Sequence, residues 1–317
     1  MPTLEYSIIA PVYNEIGCVA ELYRRVRAVM DALVTADETW ELIIVDDGSR
    51  DGSTQAILSL AEQDAHVRPV IFARNFGHQI AVTAGLDYAR GEAVVIIDAD
   101  LQDPPEIIPD LVAKWRQGYE VVYAVRAERE GETWFKKFTA AAFYRLIQRI
   151  TNVDIPVDTG DFRLIDRKVV DMIKQMRERH RFIRGMVAWV GFRQVGVSYH
   201  RAARMSGETK YPLKKMIKFA LDAITSFSYV PLQLAMYMGF VSAGISIVAI
   251  PIVIFARLAG HGAFFGQATT LIAVLFLGGV QLISLGILGE YIGRLYDQAK
   301  ERPLYIVRQA PRDENVK

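Results

Sequence analysis

Two carboxylates one residue apart, Asp98 and Asp100 in VVIIDADLQDPPE (94–106), are the side chains of this sequence best suited to chemistry. The run before them is apolar, so they stand where a buried strand leaves the core. Alternate residues of an extended chain share a face, and at a strand exit both can turn toward one ion. Two like charges this close oppose each other's ionisation unless a cation lies between them. Mg²⁺ or Mn²⁺, hard ions that prefer oxygen, are the expected cations. Gln102 offers an amide oxygen at the next alternate position. So few protein ligands leave the ion open to substrate phosphates. Asp103 and Glu106 read differently: with Pro104 and Pro105 they are expected to open a helix, where acids suit the macrodipole.

A second acidic cluster, IIVDDGSRDGS (43–53), ends another apolar run. Asp46 and Asp47 can read a base or ribose, while Asp51 or Ser53 can cap the following helix. No GxGxxG or GxxxxGK[ST] occurs, which argues against a dinucleotide fingerprint and a P-loop. Cys18 is the single cysteine, so no intrachain disulfide forms, and no CxxC pair or His-rich tract points to zinc. That usage fits a reducing compartment. His78, His180 and His200 are isolated in sequence and are expected to be structural. A formal net charge of +1 without a basic arm argues against a nucleic-acid partner. The N-terminus has no basic region ahead of an apolar stretch, so no secretory signal is expected.

The elements that must position these acids follow from the apolar pattern. Strands are expected at 6–14, 40–49, 67–75, 92–100 and 119–126, with helices near 15–34, 53–65, 78–90 and 105–117. Near-continuous apolar strands alternating with helices imply a mostly parallel, Rossmann-like α/β sheet covered on both faces. Ligands of such sheets bind beyond the carboxyl ends of the strands. Asn14, Asp46, Asp47, Arg74, Asn75, Asp98, Asp100 and Arg126 all fall there, so one crevice should collect them.

After residue 228 the composition becomes membrane-like. The uncharged stretches 229–256 and 268–289 each reach roughly the 20 residues that cross a hydrocarbon core. Lys210, Lys214, Lys215 and Lys218 precede the first; Arg294, Lys300 and Arg302 follow the second; the connector carries Arg257. The positive-inside rule then puts both termini and the large domain in the cytoplasm. Gly289 and Gly293, with Gly278, Gly279 and Gly286, allow close packing within the pair or between protomers of a homo-oligomer. Residues 211–227 read as a basic amphipathic helix at the bilayer interface. Residues 132–150 read equally as an interfacial or a core-facing helix, and 127–132 as a loop over the site or a plain surface loop.

Taken together, SIIAPVYNE, LIIVDDGSRDGS, ARNFGHQIAVTAGLDYARGEAVVIIDADLQDPPE and DTGDFRLIDRKVV resemble the family 2 glycosyltransferases of GT-A fold. With GETKYPLKKMIKFALDAITSF and two membrane helices, the chain is similar to the polyprenyl-phosphate glycosyltransferases, bactoprenol glucosyltransferases foremost and dolichol-phosphate mannose synthases more distantly. The resemblance implies a GT-A catalytic domain (1–210), a juxtamembrane helix (211–228), a two-helix membrane domain (229–293) and a cytoplasmic tail (294–317). It implies a nucleotide-sugar donor, UDP-glucose, and a polyisoprenyl-phosphate acceptor at the inner face of a bacterial-type plasma membrane. Asp98, Asp100 and Gln102 then match the metal-binding DxDxQ. Pro11, Tyr13, Glu15 and Asp47 match the nucleotide pocket, with Asp46 and Asp98 beside it.

Arg126 falls where relatives contact phosphate, Asp161 matches an acid beside the sugar, and Arg204 with Lys210 matches the acceptor-phosphate end; Lys137, from the basic segment 132–150, is expected to join them at headgroup depth. No Q-x-x-R-W segment of the processive synthases occurs, which favours one sugar per acceptor. Asp161 reads either as a sugar-orienting or charge-stabilising acid, or as a turn acid after Gly160 that pairs with Arg163. Alternatives to the whole reading are the same chemistry with another nucleotide sugar, a nucleotidyl transfer, or a non-catalytic membrane subunit of a larger complex.

Overall fold

The computed structural model describes residues 3–126, 159–199, 228–259 and 267–311. The expected interfacial segments 132–150 and 211–227, the loop 127–132, His200 and the acceptor residues Lys137, Arg204 and Lys210 lie outside them.

Five apolar runs become strands that point one way: β1 (Thr3–Val12), β2 (Glu38–Asp46), β3 (Val67–Phe72), β4 (Ala93–Ile96) and β5 (Val121–Arg126). Leu42, Ile43, Ile44 and Val45 of β2 are all fully buried. Side chains of both strand faces are therefore covered, as a helix-flanked parallel sheet requires. The helices between are α1 (Ile16–Leu33), α2 (Ser53–Gln63), α3 (His78–Tyr88) and α4 (Ile108–Arg116), the last entered through a 3₁₀ turn at Pro105–Ile107. In α1 the buried residues Cys18, Val19, Leu22, Val26 and Met30 recur at helical spacing and make one stripe. Each such side chain contributes about 1.5–3 kcal/mol on burial.

Between residues 159 and 199, four described elements were not among those expected: β6 (Thr159–Asp166), α5 (Arg167–Gln175), α6 (Ile183–Val190) and β7 (Gln194–Tyr199). The strand order is β7-β5-β6-β4-β1-β2-β3-β8, with β6 antiparallel between β4 and β5. Because β6 runs backwards, its start, not its end, lies at the carboxyl edge where β4 and β5 finish. Ile96 pairs with Arg163. Continuing that register two residues brings Asp98 opposite Asp161.

The last strand, β8 (Val307–Gln309), pairs antiparallel with β3. Residues beyond Glu301, expected as a plain tail, thus belong to the same compact unit as β1–β7. Tyr305 fastens them: its ring stacks on Phe72 at 5.2 Å, and its hydroxyl donates to Asp87 Oδ2 at 2.9 Å.

A second unit holds α7 (Val230–Leu258) and α8 (Gln267–Ala299), the latter extending past the expected end at 293. Both are long and apolar enough to cross a membrane, over Val230–Ala256 and Ile272–Ala299, and neither stretch is buried in protein. Tyr291 Oη donates to Ser228 O at 2.6 Å, tying the entry of the pair to α8.

Candidate active site

The site is built where strands end. Beyond β4 the chain turns sharply, with Leu101 in the left-handed region at φ 59°, and the turn carries Asp98, Asp100 and Gln102. The Gln102 amide donates to Asp100 Oδ1 at 3.1 Å, which sets the bend. Asp98 Oδ1 is an enclosed oxygen that accepts no hydrogen bond among the described residues. Burial raises the Asp98 carboxyl to about 6, and the charges of Asp161, Asp103 and Asp100 add to that rise against His78.

Asp161, at the start of β6, closes the other side. His78 Nε2 lies 3.1 Å from Asp161 Oδ2 and 3.5 Å from Asp98 Oδ1. Gln79 Nε2 donates to Asp161 Oδ2 at 3.0 Å, and Arg184 Nε stands 3.0 Å from Oδ1. Gln79 Oε1 in turn accepts the Ile183 amide at 2.9 Å, which anchors the start of α6 and its Arg184. Burial pulls His78 down, but the bond to Asp161 and the charges of Asp98 and Asp161 outweigh it and lift the imidazole to about 9. Burial likewise opposes ionisation of Asp161, yet His78 and Arg184 hold it well below the carboxylate range.

His78 is therefore no isolated structural histidine; it bridges two acids. Asp161 is no turn acid either, since it lies in β6 on partners from α3 and α6, while Arg163 Nη2 donates to Gly160 O at 2.8 Å. Asp103, expected at a helix start, is fully buried and accepts a hydrogen bond from Tyr199 Oη. Glu106 does sit in the first turn, ion-paired to Arg25 at 2.5 Å.

Next to this cluster, at the ends of β1, β2 and β3, lies a cleft of about 200 Å³. Tyr13, Asp46, Arg50, Arg74 and Arg308 are among its lining residues. Asp46 Oδ1 accepts the Ser49 amide at 2.9 Å, and Oδ2 accepts from Thr54 Oγ1, so it shapes the β2–α2 loop. Gly48 makes that loop fit: its φ is +72°, and a Cβ there would lie 2.5 Å from the Arg74 carbonyl carbon.

Asp47, Pro11 and Glu15 hold the frame and are not among the residues lining this cleft. Asp47 Oδ1 and Oδ2 accept the Phe76 and Gly77 amides at 2.6 and 2.9 Å, fixing the loop that presents His78. Burial raises its carboxyl above the ordinary range, against those two hydrogen bonds. Pro11 is buried in β1 opposite Val45. Glu15 starts α1, its carbonyl accepting the Cys18 amide at 2.9 Å. Arg126 ends β5, opposite Tyr199 in register, at the same edge as Asp98.

Sequence reasoning passed over His78, Gln79, Arg184 and Arg308. His78 opens α3 after Gly77, six residues past the end of β3, and no local feature of the sequence marks it.

The donor set fits a hard divalent ion. Two carboxylates and an amide oxygen share one turn, and an enclosed Asp98 oxygen is left with lone pairs to give.

Residues 7–173 match the model of "Glycosyl transferase family 2". The chain belongs to glycosyl transferase family 2. Residues 230–295 of this glycosyltransferase match a second model, "GtrB C-terminal hairpin". It is 51% identical to "Uncharacterized glycosyltransferase YkcC" of Bacillus subtilis over 98% of this chain and 96% of that one. It is 41% identical to "Bactoprenol glucosyl transferase" of Shigella phage SfII, over 98% of this chain and 99% of that one. The "Prophage bactoprenol glucosyl transferase homolog" of Escherichia coli is also 41% identical, over 96% and 99%. The enzyme has the GT-A fold expected from its motifs, with the family's mostly parallel sheet and two apolar helices after it.

Proposed function

We propose that this glycosyltransferase moves a single glucose from UDP-glucose to a polyisoprenyl phosphate at the cytoplasmic face of a membrane. The observation that carries the reading is one sheet edge holding both an arginine-lined cleft and the Asp98–His78–Asp161 cluster, in a chain that also bears an apolar hairpin. The phage and prophage relatives, named for bactoprenol and glucosyl transfer, support the choice of lipid and sugar.

The cleft would take the nucleoside, since it lies on the β1–β2–β3 side, while the diphosphate would reach toward β4 and Asp98. Asp98, Asp100 and Gln102 would hold a Mg²⁺ or Mn²⁺ ion, which when bound neutralises charge on the leaving diphosphate. Arg126, whose backbone ends β5 at that edge, would supply positive charge to the diphosphate. A lipid phosphate oxygen attacks the anomeric carbon, the bond to UDP breaks, and UDP leaves. The acceptor phosphate has a second pKa of about 6, so at neutral pH it is largely ionised without a general base.

Asp161, engaged by His78, Gln79 and Arg184, is suited to orienting a sugar hydroxyl and balancing developing positive charge. Lys137, Arg204 and Lys210 would meet the lipid phosphate at headgroup depth.

Full-length protein in nanodiscs, given UDP-[¹⁴C]glucose, Mg²⁺ and undecaprenyl phosphate, is expected to move label into the lipid phase and release UDP. Labelled lipid formed only from another nucleotide sugar would refute the choice of glucose. Unlabelled lipid with UDP-glucose, UDP-N-acetylglucosamine and GDP-mannose alike would refute the transfer itself.

A further inference from the structure

We propose that Arg308, from the segment that follows the second apolar helix, is a nucleotide-recognition residue that completes the cleft. This rests on reading the cleft as the nucleotide site. Arg308 lines the cleft with Tyr13, Asp46, Arg50 and Arg74, although more than two hundred residues separate it from them.

Its backbone is fixed on both sides. Val307 pairs with Phe72 and Gln309 with Ile71, and Ile306 O accepts the Ala73 amide at 2.9 Å. Tyr305, stacked on Phe72 and bonded to Asp87, pins the segment one turn of chain earlier. Arg179 Nη2 donates to Arg302 O where the segment joins the unit. This is a built strap along β3.

The guanidinium, by contrast, is little committed. Among the described residues it makes one long bond, to Ala73 O at 3.5 Å, and Arg308 is exposed. Arg74 is used locally: it lies 3.9 Å over the Phe76 ring and donates to Asn75 O at 2.9 Å. Asp46, the carboxylate of the wall, gives its oxygens to Ser49 and Thr54. Arg308 therefore brings an uncompensated charge and five donors to the wall of a cleft. A ligand rich in acceptors and negative charge answers that, and a nucleoside diphosphate has both. The donor site is then completed only by chain that lies beyond the membrane pair in sequence.

The test is calorimetric titration of UDP, with Mg²⁺, into the full-length protein in detergent. Arg308→Ala is expected to weaken UDP binding about 10-fold, the loss of one charged hydrogen bond. The same variant should raise KM for the nucleotide sugar and leave kcat nearly unchanged, with Arg308→Lys intermediate. Gln309→Ala, at a β8 residue that is not among those lining the cleft, should bind as wild type. Thermal midpoints should not move, because Arg308 is exposed. Wild-type affinity in Arg308→Ala overturns the assignment and leaves the nucleotide cleft standing. Equal loss in Gln309→Ala overturns it in favour of a purely structural strap. Failure of the wild type to bind UDP or GDP removes the underlying reading itself.

Discussion

Asp98 combines costs that a merely structural residue would not keep. It has an enclosed oxygen without a donor, three acids around it, and an elevated carboxyl. Removing its charge should relieve repulsion while removing an ion ligand. Asp98→Asn is therefore expected to raise the thermal midpoint of the metal-free protein by a few degrees, about 1 kcal/mol. Transfer should fall by about 100-fold or more. Mn²⁺ should raise the wild-type midpoint and leave that of Asp98→Asn where it is. A variant that remains fully active, or gains stability from Mn²⁺ as the wild type does, would remove Asp98 from the ion site. Asp98 and Asp100 were legible because their spacing alone carries chemical meaning. His78 was not, since its partner Asp161 arrives from 83 residues away and only the reversed strand β6 brings it there.

At the level of elements, a buried polar knot holds the amino ends of the strands, opposite the site. Glu41 of β2, only 2% exposed, accepts from Ser7 Oγ at 2.6 Å, from Arg68 Nη1 at 2.8 Å and from the Arg90 amide at 2.9 Å. Burial would raise its carboxyl, but those hydrogen bonds and the arginine charges prevail and hold it low. A depressed pKa contributes stability that is present above the unfolded value and lost as pH falls through the folded one. Glu41→Gln should thus cost about 3 kcal/mol at neutral pH, because it removes the negative charge that faces buried Arg68. The gap to wild type should close below about pH 4. Urea unfolding followed by circular dichroism at several pH values checks this, and a gap independent of pH would contradict it.

The loop at the other end of β2 is equally constrained. Gly48→Ala places a Cβ 2.5 Å from Arg74 backbone at φ +72°, so it should cost about 1–3 kcal/mol and weaken UDP binding together. Unchanged melting and binding would show that the loop relaxes freely. The helices and five strands of the first half were readable because continuous apolar runs alternate with turn residues. β6 and β8 were not. TGDFRLID is recruited by pairing between β4 and β5, and VRQ by the Tyr305–Phe72 stack, and neither cause is local in sequence.

For the molecule as a whole, the two apolar helices are consistent with membrane anchoring, and the proposed orientation can be measured. Lys300 and Arg302 follow α8, whereas Arg257, near the end of α7, is the one fixed positive charge between the two apolar stretches. On the proposed reading, that excess puts both flanks in the cytoplasm. The β8 strap adds a geometric demand: residues from Arg302 onward belong to the unit that holds the active site, so they must share its side of the bilayer. Cys18, the single cysteine, is buried in α1 and gives little background for thiol labelling. Gly262→Cys in the connector should react with a membrane-impermeant maleimide added to intact cells. Glu301→Cys should react only after the cells are opened. Labelling of Glu301→Cys from outside would invert the orientation, and with it the proposal that the donor sugar is drawn from the cytoplasm. Protection of both sites in intact cells, with exposure of both on opening, would mean that the hairpin dips into one leaflet without crossing.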